Sequence, residues 1–381
     1  MSFALTPEQE EFRATVRRFC DREITREYVR DCDRDHRPPT EAFKAIAGQG
    51  WLGINVAEDD GGLGAGATEV AILLEEVGRS FLDLAFWIFR VVTWGGYAIG
   101  RDGTPEQKQR FLPRVATGDC SVCFALTEPS SGSDAASIRT TALLDGDEYV
   151  ISGQKVFTSG FKVSDHVLVA TKTSWRDDDR HHGFTTILVD TSASGLEARP
   201  IETLGHWPLG TNQLFFDDVR VQKDNVLGPV DEGWPNLNAY LNYERLALSA
   251  ARTGAAQAAL ADAVEYAKSR QQFGRPISKF QAVSHKLADM ALMVEISQML
   301  VRRYTERFEQ GSNTPRDAAM LKLYTCEAYK LVADLGLQVL GGYGYTMEYD
   351  LQRHFRESRL GTIGAGTSEI QRNIIAKSLG L

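Results

Sequence analysis

The feature that most constrains the fold is a double change of hydrophobic periodicity along the chain. Residues 1–119 show apolar residues at helical spacing, and Thr6 and Thr104 each precede a Pro-Glu-Gln sequence that is typical of a capped helix start. Residues 120–230 are rich in Thr, Val, Ile and Phe, whereas residues 231–381 return to long Ala- and Leu-rich helices. The pattern predicts a multidomain α+β protein with these three ranges as its domains.

The middle region has the signature of short, sequentially paired strands. Asp145-Gly146 stands between two apolar runs and is a strong hairpin signal. Several further apolar runs follow without a helical segment between them. This spacing predicts a small antiparallel β-barrel or sandwich, and the long helices that follow predict a helical bundle.

Composition excludes several classes of function. The 381 residues carry a formal net charge of -9 and no long Lys/Arg block, which argues against nucleic acid as a partner. The most apolar stretch, Leu84 to Phe89, ends at Arg90 and is too short to span a bilayer. The N-terminus does not resemble a signal peptide, so we expect a cytoplasmic protein without membrane insertion.

Two local patterns resemble metal sites, but neither is convincing. Cys120 and Cys123 have C-x-x-C spacing without a second pair, and we interpret them as small core residues at the start of a strand. His181 and His182 lie in an acidic, polar stretch that predicts a solvated loop. The five cysteines are odd in number and scattered, which argues against a disulfide framework. We therefore predict no metal.

Five motifs carry the functional information. They are Phe124–Ser133, Lys155–Ser159, Arg270–Gly274, Gln338–Gly342 and Gly366–Arg372. Each alone is typical of an ordinary loop, strand end or helix end, although Gly, Ser and Arg in such places also bind phosphates and heterocycles. Taken in order, they make the chain similar to the acyl-CoA dehydrogenase family over essentially its whole length.

The resemblance implies an N-terminal helical domain, a middle antiparallel β-barrel and a C-terminal four-helix bundle, assembled as a homotetramer. It implies FAD, an acyl-CoA substrate, and an electron-transfer flavoprotein or a similar electron acceptor. It also implies α,β-dehydrogenation, in which a base removes the α-proton and the β-hydrogen leaves as hydride to the flavin. Ser133 and Arg245 would contact the substrate. The FAD contacts would be Phe124, Leu126, Thr127, Ser133, Phe157, Thr158, Ser159, Arg270, Phe273, Gln281, Gln338, Gly341, Gly342, Thr367 and Glu369.

The base is the point where this sequence departs from many family members. They carry a Glu in the C-terminal loop, where this chain has Ala365 between two glycines. Another branch, which includes isovaleryl-CoA and long-chain dehydrogenases, places the Glu on the first long bundle helix, just before an Arg. Glu244-Arg245 matches that placement, so we predict Glu244 as the base. The backbone amide of Ala365 would still polarise the thioester oxygen.

Three alternatives remain open at the level of sequence. The base placement and the stretch Cys32–Asp35 also resemble crotonobetainyl-CoA reductase, which runs the chemistry as enoyl-CoA reduction. A flavin oxidase or monooxygenase on the same fold would need no CoA site. A non-catalytic FAD-binding relative would explain the missing loop Glu. His206-Trp207 stands where the family often has an Arg, so that role does not carry over.

Overall fold

The computed structural model describes residues 4–381 and confirms the helical N-terminal region. Thr6 accepts a hydrogen bond from the backbone N–H of Gln9, whose side chain accepts one from the backbone of Thr6. Thr104 and Gln107 form the same capping box. The helices of this region are α1 (Pro7–Glu23), α2 (Arg26–Arg34), α3 (Thr40–Ala47), α4 (Ala67–Ser80), α5 (Leu82–Arg90), α6 (Ile99–Asp102) and α7 (Pro105–Thr117).

The apolar segment after α4 is longer than the sequence suggested. A π-helical stretch, Val91–Ala98, joins α5 to α6, so the helix continues through Arg90 instead of ending there. Arg90 is itself buried. The resulting helix, Leu82–Asp102, is long and apolar enough to cross a membrane by composition, yet 94% of its most apolar window is buried inside the fold. Burial of this kind is typical of a core helix.

The middle region forms one eight-stranded sheet. Its strand order is β6-β7-β3-β2-β4-β5-β8, with β1 paired to β4. Most pairs are antiparallel, but β1 and β4 run parallel, and no pairing among the described residues closes the ladder into a barrel. The strands are β1 (Val122–Ala125), β2 (Thr141–Asp145), β3 (Glu148–Ser159), β4 (His166–Lys172), β5 (Phe184–Asp190), β6 (Leu196–Ile201), β7 (Thr211–Gln222) and β8 (Val226–Leu227).

Two local predictions in this region are confirmed. Asp145 pairs with Glu148 across a two-residue turn, in which Gly146 has a φ of 66° that few other residues adopt readily. Cys120 and Cys123 are buried free thiols beside and within β1. Burial raises the pKa of Cys123 to about 12, so its thiol stays protonated and packs as an apolar group.

The C-terminal region returns to long helices. A short ribbon of β9 (Gln271–Gln272) and β10 (Arg275–Pro276) follows the first of them. A 3-10 turn at Ile277–Lys279 then leads into the next helix. The helices are α8 (Trp234–Ser269), α9 (Gln281–Glu309), α10 (Pro315–Leu340), α11 (Leu351–Ser358) and α12 (Ser368–Ser378).

The chain divides into two compact units. One is helical and contains the segments up to Asp31, Ala67–Phe86 and Glu244–Leu381. The other contains Cys32–Gly66 and Trp87–Tyr243, and therefore the sheet. We call them the helical unit and the sheet unit. The predicted base and C-terminal loop lie in the helical unit, and the first two motifs lie in the sheet unit.

Candidate active site

Glu244 lies on α8 beside a buried cation. Its side chain is partly buried, and the adjacent Arg245 is only 7% exposed. Burial lowers the pKa of the Arg245 guanidinium, and the negative charge of Glu244 opposes that shift. Helix α8 thus carries a partly buried carboxylate directly before a buried guanidinium.

The C-terminal loop is held by its carbonyl groups. Ala365 and Gly366 have φ values of 54° and 85°, the left-handed region that alanine rarely adopts. The side-chain amide of Gln371 donates to the carbonyl oxygens of Ala365 at 3.2 Å and of Gly366 at 2.9 Å. Lys322 Nζ donates to the same Gly366 oxygen at 2.6 Å. Two buried side chains therefore fix a strained backbone in one conformation.

Lys322 connects this loop electrostatically to Glu244. Burial lowers the pKa of Lys322 to about 8; Cys326 opposes the shift, Arg252 and Arg245 add to it, and Glu244 opposes it. A Cβ added at Gly366 would lie 3.8 Å from Arg245 Nη2, so the loop also approaches the guanidinium. The structure therefore places Glu244, Arg245 and the loop in one charged neighbourhood of the helical unit, around the buried Arg245 and Lys322.

A second feature of the helical unit is a cleft of about 540 Å³ at the end of α10. Arg270 lines it, with its guanidinium carbon 5.6 Å from the centroid of the Tyr343 ring. Gly341 and Gly342 also line it, and a Cβ built on either glycine meets no protein atom within 4 Å. Such a Cβ would occupy the cleft, whereas glycine leaves the backbone open to a ligand. The other lining residues are Tyr266, Gln272, Ile277, Val339, Leu340 and Thr346.

In the sheet unit, the first two motifs lie against each other. The backbone N–H of Val156 donates to the carbonyl of Thr127 at 2.9 Å, and Lys155 Nζ donates to the carbonyl of Leu126 at 3.0 Å. Phe124 stacks on Trp94 with ring centroids 4.1 Å apart. Predicted FAD contacts from both motifs therefore come together beside the C-terminal half of β3.

The same part of β3 contains a β-bulge. The register between β3 and β7 shifts between Lys155 and Thr158, which is a bulge of the kind often found beside active sites. Phe157 within it has a φ of 61° and is 64% exposed. Thr158 is 1% exposed, and its Oγ1 has no hydrogen-bond partner within residues 4–381. The bulge thus presents an uncovered aromatic face and an unsatisfied hydroxyl.

These residues fit FAD. An exposed aromatic ring can cover a flat flavin, and the buried hydroxyl of Thr158 can donate to a ring nitrogen or oxygen. The glycine-lined cleft with Arg270 suits a diphosphate. Phe157, Phe273 and Ala365 are three of the seven non-glycine residues with positive φ between residues 4 and 381. Such strain concentrates at functional sites.

Other predicted residues make few contacts within their own unit. Ser133, Gln281, Gln338 and Glu369 are exposed, and Phe273 is 92% exposed. Ser159 Oγ lies 3.0 Å from Thr211 Oγ1, and Thr367 caps α12 by accepting from Ile370 N. The structure gives these side chains local roles and leaves their predicted ligand contacts as predictions.

Sequence reasoning missed Lys322 and Gln371 as residues that hold the loop. Gln371 lies inside the fifth motif, but nothing in the motif distinguishes it from its polar neighbours. Lys322 had a signal, since it follows Ala318, Leu321 and precedes Thr325 on the buried face of α10. A lysine in an apolar stripe needs an internal partner, and its partner here is the loop carbonyl.

Models of the N-terminal, middle and C-terminal domains of acyl-CoA dehydrogenase match residues 6–119, 123–219 and 231–380. The chain belongs to the acyl-CoA dehydrogenase family. An acyl-CoA dehydrogenase of Bacillus subtilis (strain 168) is 35% identical to it over 98% of each chain.

The chain is also similar to a reductase subunit and to a dehydrogenase of known structure. The caffeyl-CoA reductase-Etf complex subunit CarC of Acetobacterium woodii is 32% identical over 96% of this chain and 97% of its own length. The structure of butyryl-CoA dehydrogenase from Megasphaera elsdenii superposes with a TM-score of 0.95 at 30% identity, over 100% of both chains. The predicted FAD-dependent oxidoreductase acting on CH–CH bonds of acyl-CoA is thus confirmed, as is the helical, β and helical order of an acyl-CoA dehydrogenase fold.

Proposed function

We propose that this acyl-CoA dehydrogenase removes the α-proton of its thioester substrate with Glu244. The observation that carries the proposal is the link from Glu244 and Arg245, through Lys322, to the loop that begins at Gly364. The carboxylate of Glu244 can accept a proton, and the guanidinium of Arg245 follows it directly on α8. Ala365 has no side chain that could take the proton instead.

The loop would supply the electrophilic part of the site. Its carbonyls point to Gln371 and Lys322, and this fixes the orientation of the backbone around Ala365. A fixed N–H at Ala365 would donate to the thioester oxygen as negative charge develops there, without reorganisation during the reaction. Arg245 and Ser133 would contact the substrate. FAD, when bound, accepts the hydride from the β-carbon.

We assign the FAD contacts to the motif residues. Phe157 would cover the flavin and Thr158 would donate to it, because these are the exposed ring and the unsatisfied hydroxyl of the bulge. Arg270, Gly341 and Gly342 would hold the adenosine diphosphate part. The remaining proposed contacts are Phe124, Leu126, Thr127, Ser133, Ser159, Phe273, Gln281, Gln338, Thr367 and Glu369.

The proposal extends to assembly and location. We infer a cytoplasmic homotetramer, with residues 1–119, 120–230 and 231–381 as domains, the second a closed β-barrel and the third a four-helix bundle. Exposed apolar side chains such as Phe273, Tyr345 and Met347 support association of the helical unit with further copies. An electron-transfer flavoprotein would exchange electrons with the flavin, in line with the Etf complex in the name of the CarC relative.

Enoyl-CoA reduction is the second candidate. A relative at 32% identity is a caffeyl-CoA reductase subunit, so reductases occur close to this chain. The same residues would serve, because Glu244 would then return the proton to the α-carbon. The electron donor decides the direction.

The test is an anaerobic screen of acyl-CoA thioesters against the FAD-loaded protein. We expect at least one saturated acyl-CoA to bleach the flavin, with slow reoxidation when air is admitted. If no saturated thioester bleaches the flavin, but an enoyl-CoA reoxidises the prereduced enzyme and restores its absorbance, the protein is a reductase. Rapid reoxidation by oxygen without any response to thioesters would instead identify an oxidase or monooxygenase and refute the proposal.

A further inference from the structure

Arg252 is a buried guanidinium of the helical unit that forms no ion pair among the described residues. Arg252 lies on α8 and is 1% exposed. Its Nη1 donates to the sulfur of Cys326 at 3.6 Å, and its guanidinium carbon lies 5.1 Å from the centroid of the Phe86 ring. Its Nε has no hydrogen-bond partner within residues 4–381. A Cβ on Gly361 would lie 3.2 Å from that Nε, so the glycine leaves room for it.

These contacts do not neutralise the charge. A thiol sulfur is a weak acceptor, and an aromatic ring supplies only a partial electrostatic attraction. Asp83 and Glu357 are buried in the same unit, and both act on Tyr329 together with Arg252. No carboxylate oxygen of the described residues lies within ion-pair distance of the Arg252 guanidinium, however. A buried cation with an unsatisfied N–H is a binding group for an anion.

The position of Arg252 connects it with the proposed reaction site. It follows Glu244 by eight residues on α8, or about 12 Å along the axis, and helical side chains lean back towards the N-terminus. Lys322, which holds the C-terminal loop, is influenced by both Arg252 and Glu244. The FAD diphosphate has its own cation in Arg270. An anion bound at Arg252 would therefore be a different group, within reach of a substrate whose α-carbon lies at Glu244.

We propose that the acyl group of the substrate ends in a carboxylate, and that Arg252 binds this carboxylate and so selects dicarboxylic acyl-CoA thioesters. The inference rests on the proposed function, because it takes Glu244 as the mark of the α-carbon. Arg252 would determine specificity without touching the reacting atoms. A planar guanidinium is suited to a carboxylate, since two N–H groups can donate to its two oxygens.

The experiment compares thioesters that differ only in the terminal group. Pentanoyl-CoA is paired with glutaryl-CoA, hexanoyl-CoA with adipoyl-CoA, and octanoyl-CoA with suberoyl-CoA, in anaerobic flavin-reduction titrations of the holoenzyme. In at least one pair, the dicarboxylic member is expected to half-saturate at a concentration at least about tenfold lower. Arg252→Met keeps the volume and removes the charge, so it should abolish that preference. Arg316→Met, at an exposed position of α10, is the matched control and should retain it.

The outcomes separate this inference from the proposed function. One result is that, in every pair, the monocarboxylic thioester reduces the flavin with a half-saturating concentration equal to or lower than that of its dicarboxylic partner. That result would overturn the role of Arg252 and leave the dehydrogenase proposal intact. A preference that survives in Arg252→Met would overturn it too. No reduction by either series would refute both proposals. If Arg252→Met does not retain FAD, the comparison in the unmodified enzyme decides, and Arg252→Lys should keep the preference.

Discussion

The two units of the molecule treat a buried lysine in opposite ways. In the sheet unit, Lys155 Nζ lies 2.8 Å from Glu128 Oε1 and also donates to the carbonyl of Leu126. In the helical unit, Lys322 has the carbonyl of Gly366 as its hydrogen-bond acceptor, and no carboxylate of the described residues lies within ion-pair distance. Burial lowers the pKa of each lysine to about 8. Desolvation of the lysine is thus compensated by an ion pair in the sheet unit, but only by a carbonyl group in the helical unit.

The difference separates a structural charge from a functional one. Glu128 also accepts from the backbone N–H groups of Arg139 and Thr140, so the ion pair ties together the strands around the first two motifs. Lys322 lies instead near the cations Arg245 and Arg252, without an ion pair of its own among the described residues, and Glu244 and Glu369 act on it from further away. A region with cations of this kind is prepared to bind negative charge, either in a ligand or in a transition state.

The largest effect on stability should come from breaking the compensated pair. Lys155→Met leaves the 5%-exposed Glu128 without its cation, and we expect the free energy of unfolding to fall by about 3–5 kcal/mol. Urea denaturation at a fixed FAD concentration measures this loss. Adding Glu128→Gln should recover much of it, because the buried negative charge is then removed as well. A single variant as stable as the wild type would contradict the comparison.

Lys322→Met, the matching change in the helical unit, should lower the free energy of unfolding far less at neutral pH. It should also alter how the free energy of unfolding depends on pH. The folded pKa of Lys322, about 8, lies below the unfolded value of roughly 10.4, so the unfolded chain binds more protons between those values. Stability therefore rises with pH in that window, and Lys322 contributes at most about 1.4 kcal/mol per pH unit. Lys322→Met should lack this contribution. Parallel unfolding curves of the two proteins at pH 8 and pH 9.5 measure it, and an identical rise in both would contradict the assignment.

The smallest expected effect concerns the strain in the loop itself. Ala365 has a φ of 54°, which glycine adopts without steric cost, so Ala365→Gly should raise the free energy of unfolding by up to about 1 kcal/mol. Ala376→Gly, in the ordinary helical backbone of α12, should lower it by a similar amount. Thermal unfolding of both variants at one FAD concentration compares them. Two losses of equal size would argue against a strained loop.

Local signals in the sequence predicted local structure well. The capping boxes at Thr6 and Thr104 and the hairpin at Gly146 are confirmed, because each depends on a few neighbouring residues. The parallel pairing of β1 with β4 was not predicted, since it joins segments about forty residues apart and leaves no local pattern. The motifs predicted the family and FAD because each is a short continuous stretch of sequence. They missed Lys322 because it contacts the loop from a different helix, outside every motif.

The central claim is that Glu244 is the base, and anaerobic stopped-flow absorbance of flavin reduction by a reactive acyl-CoA tests it most directly. Glu244→Gln should retain FAD and slow flavin reduction by about 10²- to 10⁴-fold, because the amide cannot accept the α-proton. Glu265→Gln, at an exposed position on the same helix, should reduce its flavin like the wild type. A Glu244→Gln enzyme that binds FAD and reduces it at the wild-type rate would contradict the account.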